Sequence, residues 1–176
     1  MNAPDPKKRT SKAPAGLAAA LAVLLAAGVE GREHWPYYDQ AGILTVCGGI
    51  TGKGVVKGKF YSWAECDKLE VPYIERMNAT IGKCIAPGTL TFKGWLWWGH
   101  FTYNVGEPTF CKSTAAKLLR AGKYEDACRQ MARWTFITKP GRGSVNCRVK
   151  AEKCGGIPKR RDIEMRGCLA AEAEAR

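Results

Sequence analysis

The chain has no CxxC pair among its eight cysteines and only two histidines, His34 and His100, so it lacks the usual ligand sets for zinc. No metal or other cofactor is expected. It also lacks a basic helix with heptads, zinc-finger spacing and the stacking aromatics of an RNA-binding sheet, and no nucleic-acid partner is expected. Acidic residues are scarce, 16 against 28 Lys and Arg, which leaves a formal charge of +12. That field draws polyanions, either anionic lipid or the carboxylates of a wall polymer, unless the charges form only a solvated surface. A long, strongly apolar run is missing too. The one uncharged stretch, Ala13 to Val29, has 17 residues of which eight are Ala; at ~1.5 Å per residue it spans roughly 25 Å, short of a ~30 Å hydrocarbon core.

What is present suits one folded unit. With 45% apolar and 25% charged residues, the 176-residue chain has a globular composition. The cysteines are even in number, which points to disulfides and an oxidising compartment, free buried thiols being the other reading. Of the many possible connectivities, only the local pair Cys147 with Cys154 is expected from spacing. Lys7, Lys8, Arg9 and Lys12 precede the apolar stretch, so residues 1–29 read as a segment inserted N-in, C-out, with 13–29 in the membrane. Leu17, Leu21, Leu24 and Leu25 fall on one helical stripe. That pattern suits a helix that later leaves the bilayer and packs as the first helix of a folded body; a cleaved signal peptide, cut near Ala22 or Ala26-Ala27, is the alternative.

Beyond Val29 the order Glu30, eight residues, Asp39, five residues, Thr45 sets an acid, a carboxylate and a hydroxyl at a helix end, a turn entry and a following strand. Glycoside hydrolysis needs one carboxylic acid to protonate the leaving oxygen and a second carboxylate to steady charge or orient water. On chemistry alone Glu33 is as good an acid as Glu30, and all four residues are also ordinary surface groups.

The stretch from Glu30 to Gly52 resembles the catalytic entry of the phage lysozyme family, glycoside hydrolase family 24, whose Glu-x8-Asp-x5-Thr triad is matched by Glu30, Asp39 and Thr45 but not by Glu33. Further landmarks follow in order: Tyr61-Ser62-Trp63-Ala64-Glu65-Cys66, Tyr103-Asn104-Val105-Gly106, Arg133-Trp134 and Gly156-Ile157-Pro158-Lys159-Arg160-Arg161. The apolar start and the cysteine placement are similar to the signal-anchor-release endolysins of tailed phages.

The resemblance implies a muramidase that cuts the β-1,4 bond from N-acetylmuramic acid to N-acetylglucosamine in peptidoglycan, causes host lysis, and acts as a monomer. It moves from the host inner membrane to the periplasm. By position, Glu30 is the general acid, Asp39 the carboxylate that positions water and Thr45 the hydroxyl that holds it. Asn104 either reaches the substrate or simply ends a helix. Arg160 and Arg161 either support the site electrostatically or are solvated. Ile50 departs from the family pattern by placing an apolar group where relatives carry a polar one. No cysteine precedes Cys47, so activation by thiol exchange with the anchor is ruled out.

The implied fold is α+β and lysozyme-like, a small β lobe (30–61), a linking helix (62–83) and a larger helical lobe (84–176) flanking a cleft, preceded by an N-terminal apolar helix. Locally, Gly-rich residues 42–60 read as short strands, and Ser62-x-x-Glu65 as a capping box. The run from Trp95 to Tyr103 reads as a buried helix, in preference to a sugar-stacking platform, with His100 as a core residue. Helices are expected near 114–121, 124–134 and 159–169, and residues from about 140 to 155 as a disulfide-pinned surface loop. A silent wall-binding protein and a lytic transglycosylase are the rival readings.

Overall fold

The computed structural model describes residues 7–24, 32–39, 42–139 and 141–176. Glu30 lies outside them. The first helix, α1 (Leu17–Leu24), has the leucine stripe at work: Leu17 and Leu21 are buried in the main core beside Ile74, Met77, Trp95 and Trp98. The chain leading into it is fastened as well. Thr10 forms a two-way bridge with Leu90, its hydroxyl accepts from Trp95 Nε1 at 3.1 Å, and Arg9 lies 4.0 Å above the Tyr124 ring while pairing with buried Glu172. Among the described residues no helix is long and apolar enough to cross a membrane.

Three short strands follow, β1 (Glu33–Tyr38), β2 (Leu44–Cys47) and β3 (Ile50–Thr51), in an antiparallel sheet of that order. The sequence gives no sign of β1. It contains Pro36 and a register break between Glu33 and Tyr37 that spoils the period-two alternation. Both features are tolerated because β1 is at the edge of the sheet, where a missing donor costs no ladder bond.

The linking helix α2 (Trp63–Ile85) starts at the expected capping box: the Ser62 hydroxyl accepts from the Glu65 amide at 3.3 Å and Glu65 accepts from the Ser62 amide at 2.9 Å. Its buried residues, Cys66, Glu70, Ile74, Met77, Asn78, Ile81 and Ile85, repeat at three- and four-residue steps, so one stripe faces the core along its whole length. Helix α3 (Phe92–Val105) is capped by Thr91 and buries Trp95, Trp98 and Phe101 completely. Core packing is therefore its role.

Around it stand α4 (Glu107–Cys111), α5 (Thr114–Arg120), α6 (Tyr124–Gln130) and α7 (Gly156–Glu174). The helix expected through Trp134 stops at Gln130 and tightens into a 3-10 turn at Met131–Arg133, whereas the last helix runs well past Leu169. Between them the stretch read as a surface loop is in fact part of a β-hairpin, β4 (Phe136–Lys139) with β5 (Gly143–Asn146). Its end is pinned by Cys147–Cys154, and Glu152 binds both Lys139 (3.2 Å) and Arg142 (2.9 Å). The expected disulfide is present, but residues 143–146 of that stretch form a strand, which the sequence hides because Val145 is its one apolar residue.

All eight cysteines pair: Cys47–Cys66 ties β2 to α2, Cys84–Cys111 ties α2 to α4, and Cys128–Cys168 ties α6 to α7. The core thus has a large helical part and a small part under the sheet, made of Val46, Cys47, Val55, Tyr61 and Cys66.

Candidate active site

The β1–β2 hairpin brings Asp39 and Thr45 to one residue, Ile43. The Asp39 amide donates to the Ile43 carbonyl (3.0 Å), and the Gly42 amide donates to the Asp39 carbonyl (2.9 Å), closing the turn. Gly42 takes the left-handed conformation that this turn requires, φ 76°. Within it the Asp39 carboxylate accepts the Ile43 amide at 2.9 Å, while the Thr45 hydroxyl donates to the Ile43 carbonyl at the same distance. The two side chains are thus fixed through the two polar groups of one residue. Thr45 is almost fully buried and Asp39 half-buried.

Thr45 sits directly opposite Tyr37 in the ladder, so Tyr37 projects from the same face of the sheet as the hydroxyl. Glu33 is exposed at the start of β1, at the far end of that strand from the turn. A groove of about 740 Å³ lies elsewhere, between residues 11–19 and α2, and does not include Asp39 or Thr45.

A second cluster braces the sheet against the helices, and sequence reasoning missed it. Glu70 on α2, 1% exposed, accepts the Gly48 amide at 2.7 Å and pairs with Arg32 at 2.8 Å. From the other side Tyr103 on α3 donates its hydroxyl to the Gly48 carbonyl at 2.6 Å. Arg32 also meets Asp67 at 2.7 Å and lies 4.9 Å above the Trp63 ring. Desolvation opposes the Arg32 charge, but the hydrogen bond to Asp67 and the Glu70 carboxylate outweigh it and raise its pKa. The sequence signal was slight: a Glu on the apolar stripe of α2, four residues after Cys66, has to be paired to be buried.

Gly48 is small for a reason. A Cβ there would stand 3.0 Å from Glu70 Oε1, so any side chain would press on the carboxylate that the turn donates to. Ile50, the departure from the family pattern, is half-buried on β3 opposite Val46 and packs on the small core under the sheet. Among the described residues the metal-type grouping is Cys47, Cys66 and Glu70, and its two sulfurs are bonded to each other, so they are not thiolate ligands.

Asn104 near the end of α3 donates to the His100 carbonyl at 3.0 Å and accepts from Arg160 on α7. Its amide is therefore engaged between two helices. Arg161 is buried, 3.1 Å from Glu164 and 5.0 Å from the Phe101 ring centre. His100 Nδ1 meets Glu164 Oε1 at 2.7 Å, both side chains being buried, which makes it the core residue expected.

With the hairpin and its braces in view, the likeness to known proteins is informative. The chain is 33% identical to the SAR-endolysin of Enterobacteria phage PA-2, covering 94% of this chain and 96% of that one. It is 36% identical to the SAR-endolysin of Escherichia phage Mu over 78% of this chain and 72% of that one. Among solved structures, the endolysin from Escherichia coli O157:H7 phage FAHEc1 superposes with a TM-score of 0.71 at 25% identity, covering 90% of this chain and 93% of that one. The muramidase domain of SpmX from Asticaccaulis excentricus shares the fold, with a TM-score of 0.72 at 18% identity over 85% and 95% of the two chains. The Phage lysozyme family model matches residues 27–164, from before the candidate hairpin into α7, and the chain belongs to that family of lysozyme-type glycoside hydrolases.

Proposed function

We propose that the protein is an endolysin that hydrolyses the β-1,4 bond between N-acetylmuramic acid and N-acetylglucosamine in peptidoglycan and thereby lyses the host cell. The observation that carries this reading is the sharing of Ile43 by Asp39 and Thr45. With its proton committed to the Ile43 carbonyl, the Thr45 oxygen has only lone pairs left to offer, and an ionised carboxylate is likewise an acceptor. A water held between two acceptors points both hydrogens at them and turns its own lone pair outward, towards an anomeric carbon. Asp39 takes the proton as the C–O bond forms, and an acid supplied from Glu30 delivers a proton to the departing sugar oxygen.

Glu30 takes this role by its spacing from Asp39 and Thr45. Asn104, engaged by Arg160 and the His100 carbonyl, is assigned to positioning rather than to the reaction itself. The relatives named SAR-endolysin support the same assignment for the N-terminus: residues 13–29 would hold the chain N-in, C-out in the inner membrane, and release into the periplasm would let α1 pack as described. The protein would then act as a monomer.

The test is clearing of outer-membrane-permeabilised Gram-negative cells. The wild type should clear them, and Glu30→Gln should abolish clearing with unchanged circular dichroism and melting temperature. Clearing that persists in Glu30→Gln would overturn the assignment of the acid.

A further inference from the structure

Exposed large apolar side chains are concentrated on the β lobe and the start of α2. Trp35 (56% exposed), Phe60 (48%) and Trp63 (44%) meet there around His34. Phe60 stacks on His34 at 4.7 Å and an 18° tilt, Trp63 lies 3.7 Å from the same ring, and Trp35 packs edge-on against Phe60 at 5.4 Å. His34 is locked in turn, its Nδ1 lying 2.6 Å from the Tyr61 carbonyl. The result is a fixed aromatic surface, outside any core, on a protein otherwise rich in charge.

We propose that this surface binds the glycan strand beyond the bond that is cut, taking N-acetylhexosamine units against Trp35 and Phe60. The inference rests on the muramidase reading and adds to it a second binding surface. Three observations favour a sugar chain. Each ring is held by a neighbouring ring and still about half exposed, the form that accepts the flat C–H face of a pyranose; a bilayer anchor would need rings that project freely.

Second, the surface is close to the candidate site along the chain. Trp35 and Asp39 lie on one extended segment four residues apart, roughly 13 Å at ~3.3 Å per residue, a span of a few sugar units. Third, a cation stands beside the aromatic face: Lys57 lies 5.3 Å from the Tyr38 ring centre. Together with the net charge of +12 it complements the carboxylates carried along a muropeptide strand.

The test uses the full chain and three variants, Trp35→Ala, Phe60→Ala and the double substitution, after confirming unchanged circular dichroism. Two substrates are compared, purified sacculi and a short soluble muropeptide that fills only the cleavage site, and vesicles of phosphatidylglycerol with phosphatidylcholine serve as a third arm. The proposal expects roughly ten-fold weaker co-sedimentation of the double variant with sacculi, equivalent to the loss of about one stacked ring. It also expects a matching rise of KM on sacculi and unchanged kcat on the short substrate. Unchanged sacculus binding would overturn it, as would loss of vesicle binding with sacculus binding intact, which would make the bilayer the partner. If the wild type binds sacculi through these rings yet cleaves neither substrate, the muramidase reading fails and the glycan surface stands.

Discussion

The proposed water-holding roles of Asp39 and Thr45 rest on how Ile43 orients both side chains. Two hydrogen bonds of 2.9 Å, one to the amide and one to the carbonyl of Ile43, orient the carboxylate and the hydroxyl together. Asp39→Asn should therefore lower turnover on sacculi by ~10²-fold or more, while the melting temperature changes little, because the amide oxygen still accepts from Ile43. Thr45→Val should act in the same direction less severely, and a kcat equal to wild type in either variant would contradict the roles of both groups in holding the water. Glu70 tests a different property. It is buried against Arg32 and the Gly48 amide, so Glu70→Ala leaves that amide unpaired and leaves Arg32 only its exposed partner Asp67, and should cost about 3 kcal/mol in chemical denaturation. The assignment of Glu30, Asp39 and Thr45 came from the family resemblance, and the fold shows the turn that joins Asp39 to Thr45, while Glu30 falls outside the described residues. Glu70 and Arg32 were not, because 38 residues separate them and nothing local marks a pair that only the fold creates.

At the scale of elements, the capping box of α2 and the seat of α1 make opposite demands on the reader of a sequence. The box is local and was visible in Ser62-x-x-Glu65. The Lys59 hydrogen bond, together with the Ser62 amide and hydroxyl, lowers the Glu65 carboxyl from 4.5 to about 2. Since the folded value is the lower one, this contribution is complete above about 4.5 and disappears as the pH falls towards 2. Melting temperature measured across that window should fall less steeply for Glu65→Gln than for wild type. The seat of α1 is visible only in part. Its leucine stripe implies a packed face, but not that Gly99 on α3 leaves the space: a Cβ there would lie 2.6 Å from Leu21 Cδ2. Nor does a stripe foretell that Arg9, from the basic flank, pairs with Glu172 on α7. Glu172 is 3% exposed, and Arg9→Gln removes its counter-charge, so the variant should be destabilised by about 3 kcal/mol against chemical denaturant. A wild-type stability would mean that the N-terminal strap is not docked in solution.

For the whole molecule, two cores of unequal size are joined by α2, and the disulfides reinforce that division. Cys47–Cys66 spans a sequence separation of 19 and joins the sheet to the helix that carries Glu70. Replacing both by Ala should cost about 3 kcal/mol and should impair activity more than loss of Cys147–Cys154, whose hairpin lies apart from Asp39. The general plan, a β lobe, a linking helix and a helical lobe, followed from the resemblance and from helical periodicity. The hairpin of β4 and β5 escaped notice because its strands have four residues each and no apolar rhythm. The edge strand β1 escaped because Pro36 and the register break disguise it. The most direct measurement of the central claim is digestion of purified sacculi in ¹⁸O-labelled water, followed by mass spectrometry of the released muropeptides. Wild type should place one labelled oxygen on the new reducing end of muramic acid, and Asp39→Asn should release almost none. Unlabelled anhydro-muramic ends from the wild type would contradict a water held by Asp39 and Thr45.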